Sequence, residues 1–134
     1  MSRSKQFLGL DVGTVRIGVA IGDNQVCLAT PLTTFAVDGT ELDKIAELVN
    51  SHNIDTVVIG YPRNQSGETT KQTELVEAFA SSLQLNADTV FQDESLTSVL
   101  AEDRLKQQGG PYQKADIDKM AASILLQDYL EQHS

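Results

Sequence analysis

The sequence predicts an α/β fold: a five-stranded mixed sheet, made of a three-strand antiparallel meander plus two parallel strands, flanked by helices. Three observations predict it. Three short apolar runs separated by turn residues open the chain, at 7–12, 16–22 and 26–29. A continuous β-branched run, Asp55-Thr56-Val57-Val58-Ile59-Gly60, lies mid-chain, and such a run suits a strand covered on both faces. Segments with apolar residues three and four apart alternate with the later strands, which is the pattern of layered helices on a sheet.

The elements follow in order. Phe7-Leu8-Gly9-Leu10-Asp11-Val12 ends at a turn, Gly13-Thr14, and Arg16 to Gly22 returns antiparallel. Gly22-Asp23-Asn24-Gln25 then turns the chain into Val26-Cys27-Leu28-Ala29, the third strand, with Cys27 in the core. Glu41 to Ser51 places Leu42, Ile45, Leu48 and Val49 at helical spacing. The run at 55–60 follows, then a polar loop from Tyr61 to Thr70. Leu75, Val76, Phe79, Ala80 and Leu83 mark a second helix, and Asp88 to Gln92 a fifth strand. Leu96, Val99, Leu100 and Leu105 mark a third helix stopped by Gly109-Gly110-Pro111. Ile117, Met120, Ala121, Ile124 and Leu125 mark the last. Phe7, Phe79 and Phe91 are read as core. The later strands are expected to join the first in parallel through right-handed crossovers. This order resembles that of the ribonuclease H-like fold. No repeat or linker divides the chain, so residues 1–134 are expected to form a single domain.

Composition narrows the function. Of 134 residues, 40% are apolar and 22% charged, a globular balance with enough chain to bury a core without disulfides. Cys27 is the only cysteine, which excludes a disulfide framework and a cysteine zinc site. No apolar run approaches the roughly 18 residues of a membrane span, and the amino end has no signal-peptide pattern. A cytoplasmic protein without a membrane partner is expected. Ten basic against 19 acidic residues leave a net charge of −9, which excludes a protein that coats DNA through a basic footprint. It leaves room for an enzyme that holds metal ions with carboxylates.

Three acids are placed for that role. Asp11 ends the first strand and Glu94, beside Asp93, follows the last. With the first, fourth and fifth strands parallel, both fall at the carboxyl-end edge, where open α/β sheets bind ligands, and Gly60 falls there too. Asp118 shares a helix face with Ala121, Ala122 and Leu125, the inward face, where an acid needs a partner or a metal. Asp116 reads as the cap of that helix. Singly, each acid has a plain reading: a turn former, a solvated strand end, a first-turn helix acid. Converging, they would repel without a cation. Mg²⁺ or Mn²⁺ answers that, and two such ions about 4 Å apart can activate water and stabilise the leaving oxygen of a phosphodiester.

Four blocks then resemble one family in order. They are Leu10-Asp11-Val12-Gly13-Thr14-Val15-Arg16-Ile17-Gly18-Val19-Ala20, then Val58-Ile59-Gly60-Tyr61-Pro62-Arg63-Asn64 through Gly67. Asp93-Glu94-Ser95-Leu96-Thr97-Ser98 and Ile117-Asp118-Lys119-Met120-Ala121-Ala122 complete them. The set is similar to the YqgF-type family of pre-16S ribosomal RNA nucleases and Holliday junction resolvase-like proteins, over almost the whole chain. The resemblance implies a ribonuclease H-like nuclease domain cleaving nucleic acid with metal, its three acids falling on Asp11, Glu94 and Asp118. Ser95 stands where the family usually has Arg, and Val15 where it has a basic residue. Both changes remove positive charge near the site.

Arg16, at the mouth of the site, is a phosphate contact or a partner for an acid. Arg63, Asn64 and Lys71 flank the loop Gln65-Ser66-Gly67, before a helix amino end that suits an anion. Lys114 and Lys119 flank Asp118 as a basic rim, Lys119 being counted with Arg16, Arg63, Asn64 and Lys71 as nucleic-acid binding. The expected activity is metal-dependent hydrolysis at the 5′ end of pre-16S ribosomal RNA. The expected partners are that structured precursor, ahead of junction DNA, and a ribosomal particle, with the chain a monomer or weak dimer. Alternatives are a Holliday junction resolvase, an actin-like ATPase or sugar kinase built around Asp11-Val12-Gly13-Thr14, and a non-catalytic ribosome-associated factor.

Overall fold

The computed structural model describes residues 5–61, 71–85, 87–93 and 97–133. In chain order the elements are β1 (Gln6–Val12), β2 (Arg16–Asp23), β3 (Ala29–Ala36), α1 (Glu41–Ser51), β4 (Thr56–Tyr61), α2 (Lys71–Ser82), β5 (Asp88–Asp93), α3 (Thr97–Gln108) and α4 (Lys114–Gln132). The strands form one sheet in the order β3-β2-β1-β4-β5. β1 pairs antiparallel with β2, and β2 with β3, while β1–β4 and β4–β5 are parallel. The expected meander plus two parallel strands is therefore present, and β1, β4 and β5 end on one edge.

Alternation along β1 divides the core between the two faces. Leu8, Leu10 and Val12 meet Ile17, Val57 and Ile59 and the helix residues Ile45, Val49 and Val76 on the α1/α2 face. Phe7, Ala20 and Val58 meet Ala122, Leu125, Leu126 and Leu130 of α4 on the other. α3 packs on the far side of α4, Ala101 against Ala121 and Ile124. Among the described residues, no helix is long and apolar enough to cross a membrane.

Three expectations need correction. The third strand is not 26–29 but Ala29–Ala36, and its Pro31 and three threonines hid it. It is an edge strand, half-buried along most of its length, where a proline and polar residues are tolerated. Cys27 is not a core strand residue. It sits in the β2–β3 connection at φ 56°, half-buried, its Sγ donating to Asn24 O, between exposed Val26 and Leu28. Gln127 of α4 clamps that connection, accepting from Ala29 N–H at 2.8 Å and donating to Cys27 O at 2.8 Å. Phe91, read as core, is 46% exposed because β5 is the outermost strand, and its ring meets Tyr61 edge-on at 5.2 Å. A smaller shift concerns Asp116. The helix already begins at Lys114, so Asp116 lies in its first turn, and its Oδ2 accepts from Gln113 N–H at 2.9 Å.

Candidate active site

The site is built around a glycine. Phe7 and Gly9 of β1 face α4, so Asp11, two further on, continues that face. Its partner across the antiparallel ladder is Gly18 of β2. A Cβ on Gly18 would lie 1.9 Å from Asp118 O and 2.8 Å from Lys119 N. The backbone of the first turns of α4 therefore rests directly on Gly18, which no other residue allows. The same glycine thus faces Asp11 across the ladder and carries Asp118 above it. A Gly inside an apolar strand signals close backbone approach, and Gly18 between Ile17 and Val19 carries that signal in the sequence.

Gly9 provides the second contact with α4. Its Cβ would meet Leu126 Cβ at 2.8 Å and Ala122 O at 3.1 Å. With Leu125, Leu126 and Leu130 buried below, the helix is fixed along its length. The inward face expected for Asp118 is confirmed by its neighbours, since Ala121, Ala122 and Leu125 are each fully buried.

Arg16 opens β2 on the same face as Gly18 and Ala20. Its carbonyl accepts from Gly13 N–H at 3.0 Å, closing the β1–β2 turn. Its Nε donates to Asp118 Oδ2 at 2.5 Å. The two side chains are 33% and 24% exposed, so the pair is open to solvent on one side. Of the two sequence readings of Arg16, the structure displays the acid partner.

Lys119 is half-buried, its Nζ 3.4 Å from Asp116 Oδ1. The Gln113 N–H on Asp116 holds that carboxyl below its usual range, with a smaller contribution from Lys119. Both residues line a cavity of about 460 Å³ with Pro31, Tyr112 and Met120, between the α3–α4 connection and α4. Lys114 is exposed on the helix's first turn. Val15, where the resembling family carries a basic residue, is 62% exposed, its carbonyl accepting from Val37 N–H at 2.9 Å.

Glu94, Arg63 and Asn64 lie outside the described residues, as does the side chain of Lys71, whose backbone opens α2. Among the described residues, no three His, Cys, Asp or Glu side chains group to hold a metal. Asp11 and Asp118 are two hard oxygen donors on one face, and Asp118 is reachable from solvent. That donor chemistry fits Mg²⁺ or Mn²⁺ and suits no soft metal.

The RuvX family, described as Holliday junction resolvase, matches residues 5–132. A Chloroflexus aurantiacus protein described as "Putative pre-16S rRNA nuclease" is 45% identical over 131 residues, covering 93% of this chain and 86% of its own. Proteins of the same description from Synechocystis and Bacillus cereus are 39% and 37% identical, covering 98% and 94% of this chain and 90% and 98% of their own. Among solved structures, the fowlpox virus resolvase in complex with Holliday junction DNA aligns with TM-score 0.54 at 15% identity. The alignment covers 96% of this chain and 98% of the viral one, and it establishes a shared fold.

Proposed function

The chain belongs to the RuvX family, and on that premise we propose a nuclease that hydrolyses phosphodiester bonds, its preferred substrate the 5′ end of precursor 16S ribosomal RNA. The observation that carries the reading is the place of Asp11 across the ladder from Gly18, on which the Asp118 backbone rests. Relatives described as pre-16S rRNA nucleases cover nearly the whole chain at 37–45% identity, which favours RNA over the ATPase and binding-factor readings.

In this reading Asp11, Asp118 and Glu94 hold the cofactor, Mg²⁺ or Mn²⁺. When bound, such ions supply Lewis-acid charge and lower the pKa of water. Asp11, in the central strand, and Asp118, whose backbone rests on Gly18, present their carboxylates from held backbone. Arg16 is a forked donor at the mouth of the site for a phosphate oxygen. Lys119, Arg63, Asn64 and Lys71 line the path of the strand. Because −9 repels a polyanion, tight binding calls for a further surface, and a ribosomal particle in the cytoplasm supplies one. The protein acts as a monomer or weak dimer.

The family's description as a resolvase favours a second substrate, four-way junction DNA. The test is cleavage of 5′-extended precursor RNA and of a four-way junction, each with Mg²⁺, Mn²⁺ or chelator. Metal-dependent cutting of the RNA, abolished by Asp11→Asn and by Asp118→Asn, is the expected result. Cutting of the junction alone moves the function to recombination, and metal-independent cutting refutes the mechanism.

A further inference from the structure

We propose that Arg16 and the divalent cation are alternative partners of Asp118, so that cation entry frees the Arg16 guanidinium for the substrate phosphate. The proposal rests on the nuclease reading above.

The Arg16–Asp118 contact is a charge-assisted bond at 2.5 Å, made across 102 residues of sequence. Its stem is fixed, because the Arg16 backbone closes the β1–β2 turn and pairs with Ala36. Its side chain is one-third exposed, so solvent or a ligand can reach it. Asp118 is fixed at the backbone by its seat on Gly18. Asp118 thus sits on a held helix backbone, and the longer Arg16 side chain has more rotatable bonds through which its guanidinium can leave the carboxylate.

A guanidinium on Asp118 Oδ2 occupies one acceptor oxygen and sets a positive charge beside any cation on the same group. Both effects oppose cation binding. The pair is partly solvated, so the competition is modest, about fivefold in affinity. Freed from Asp118, the same fork of donors matches a phosphate oxygen pair at the mouth of the site. Cation and phosphate then favour one another, since each weakens the ion pair that excludes the other, and linkage makes the coupling reciprocal. Arg16 is in this sense a positioning residue for the cation and a binding residue for the substrate.

The test is calorimetric titration of Mn²⁺ into the intact protein, without RNA, alongside melting temperatures in chelator and in Mn²⁺. Arg16→Gln is expected to bind Mn²⁺ about fivefold more tightly than the parent and to gain more melting temperature from it. Arg16→Lys, which keeps the charge and loses the fork, is expected to fall between. Affinity for precursor RNA, read in Ca²⁺, is expected to fall in Arg16→Gln. Unchanged or weaker Mn²⁺ binding by Arg16→Gln, with a parental melting temperature in chelator, overturns the proposal and makes Arg16 a prop for Asp118. If Arg16→Gln melts early in chelator, Arg16→Lys decides: binding no tighter than the parent overturns the proposal. Parental Mn²⁺ binding that survives both Asp11→Asn and Asp118→Asn overturns the metal site itself, and the proposal with it.

Discussion

Replacing Gly18 by alanine tests whether α4 is held where Asp118 needs to be. The new Cβ would lie 1.9 Å from Asp118 O and 2.2 Å from Asp118 C, where ordinary contact begins at 3.4 Å. The helix must therefore rise by about 1.5 Å at this point. It cannot lift as a whole, because Leu125, Leu126 and Leu130 are buried beneath its later turns. It tilts, and Asp118 leaves its position above the Asp11–Gly18 pair. Overpacking against backbone falls at the upper end of the usual cost, about 3 kcal/mol, which lowers the melting temperature by roughly 10 °C at this chain length. If Asp118 holds the metal as proposed, a displacement of this size is expected to cost on the order of 100-fold in rate. Gly9→Ala is the matched control. Its Cβ would meet Leu126 Cβ at 2.8 Å, a smaller misfit under the same helix but remote from Asp118. It is expected to lower the melting temperature less and to keep cleavage within about threefold of the parent. Thermal melts by circular dichroism and single-turnover cleavage below both transitions measure the two effects separately. Parental stability and cleavage in Gly18→Ala would refute the seat, and equal losses of activity in both variants would refute its specific link to Asp118.

Gln127→Ala removes both bonds to the β2–β3 connection, where Cys27 sits at positive φ. A loss of about 1–2 kcal/mol is expected by urea denaturation. Asp128 has its carboxyl raised by burial and then by Glu131, so its ionised form is disfavoured in the folded state. The folded protein gains stability from it as pH falls through that raised value, so Asp128→Asn is expected to raise the melting temperature at pH 7 and to lose its advantage in acid. Asp116 is opposite in sign. Its carboxyl is held below the ordinary 3.8 by the Gln113 N–H, so its contribution is complete above 3.8 and vanishes as pH falls through the lowered value. The deficit of Asp116→Asn in melting temperature is therefore expected to be constant at neutral pH and to close below pH 3.8.

What the sequence displayed and what it hid have physical causes. The run at 56–60 is sandwiched between helices, so its β-branched residues are uninterrupted and announce a strand. The helix face carrying Asp118, Ala121, Ala122 and Leu125 was legible from period alone. β3 was not, because an edge strand need not be apolar and Pro31 disguises it. Phe91 was misread for the complementary reason, an apolar residue on an outermost strand without cover. The Arg16–Asp118 bond joins residues 102 apart, and no local pattern in either segment announces it. Parallel pairing supplied the edge at which Asp11 falls, but only the contact at Gly18 brings Asp118 over it.

A charge of −9 and a phosphate substrate pull against each other, and the arrangement of groups relieves the conflict locally. At about 8 Å of screening in physiological salt, acids on the far helices hardly reach the mouth of the site. On the reading proposed above, a phosphate there meets Arg16 and Lys119, and each of these is held by an acid, Asp118 and Asp116 respectively. Pairs of this kind add little net field until one member is taken up by something else. In the proposal above, a cation held by Asp118 would do that, leaving the Arg16 guanidinium available to a phosphate. On that proposal an acidic chain would bind its nucleic acid through a switchable local charge in place of a standing basic surface. If Arg16 is released only when a cation is bound, affinity for nucleic acid is expected to rise with Mg²⁺ at fixed ionic strength, and a binding titration in Mg²⁺ against chelator measures it.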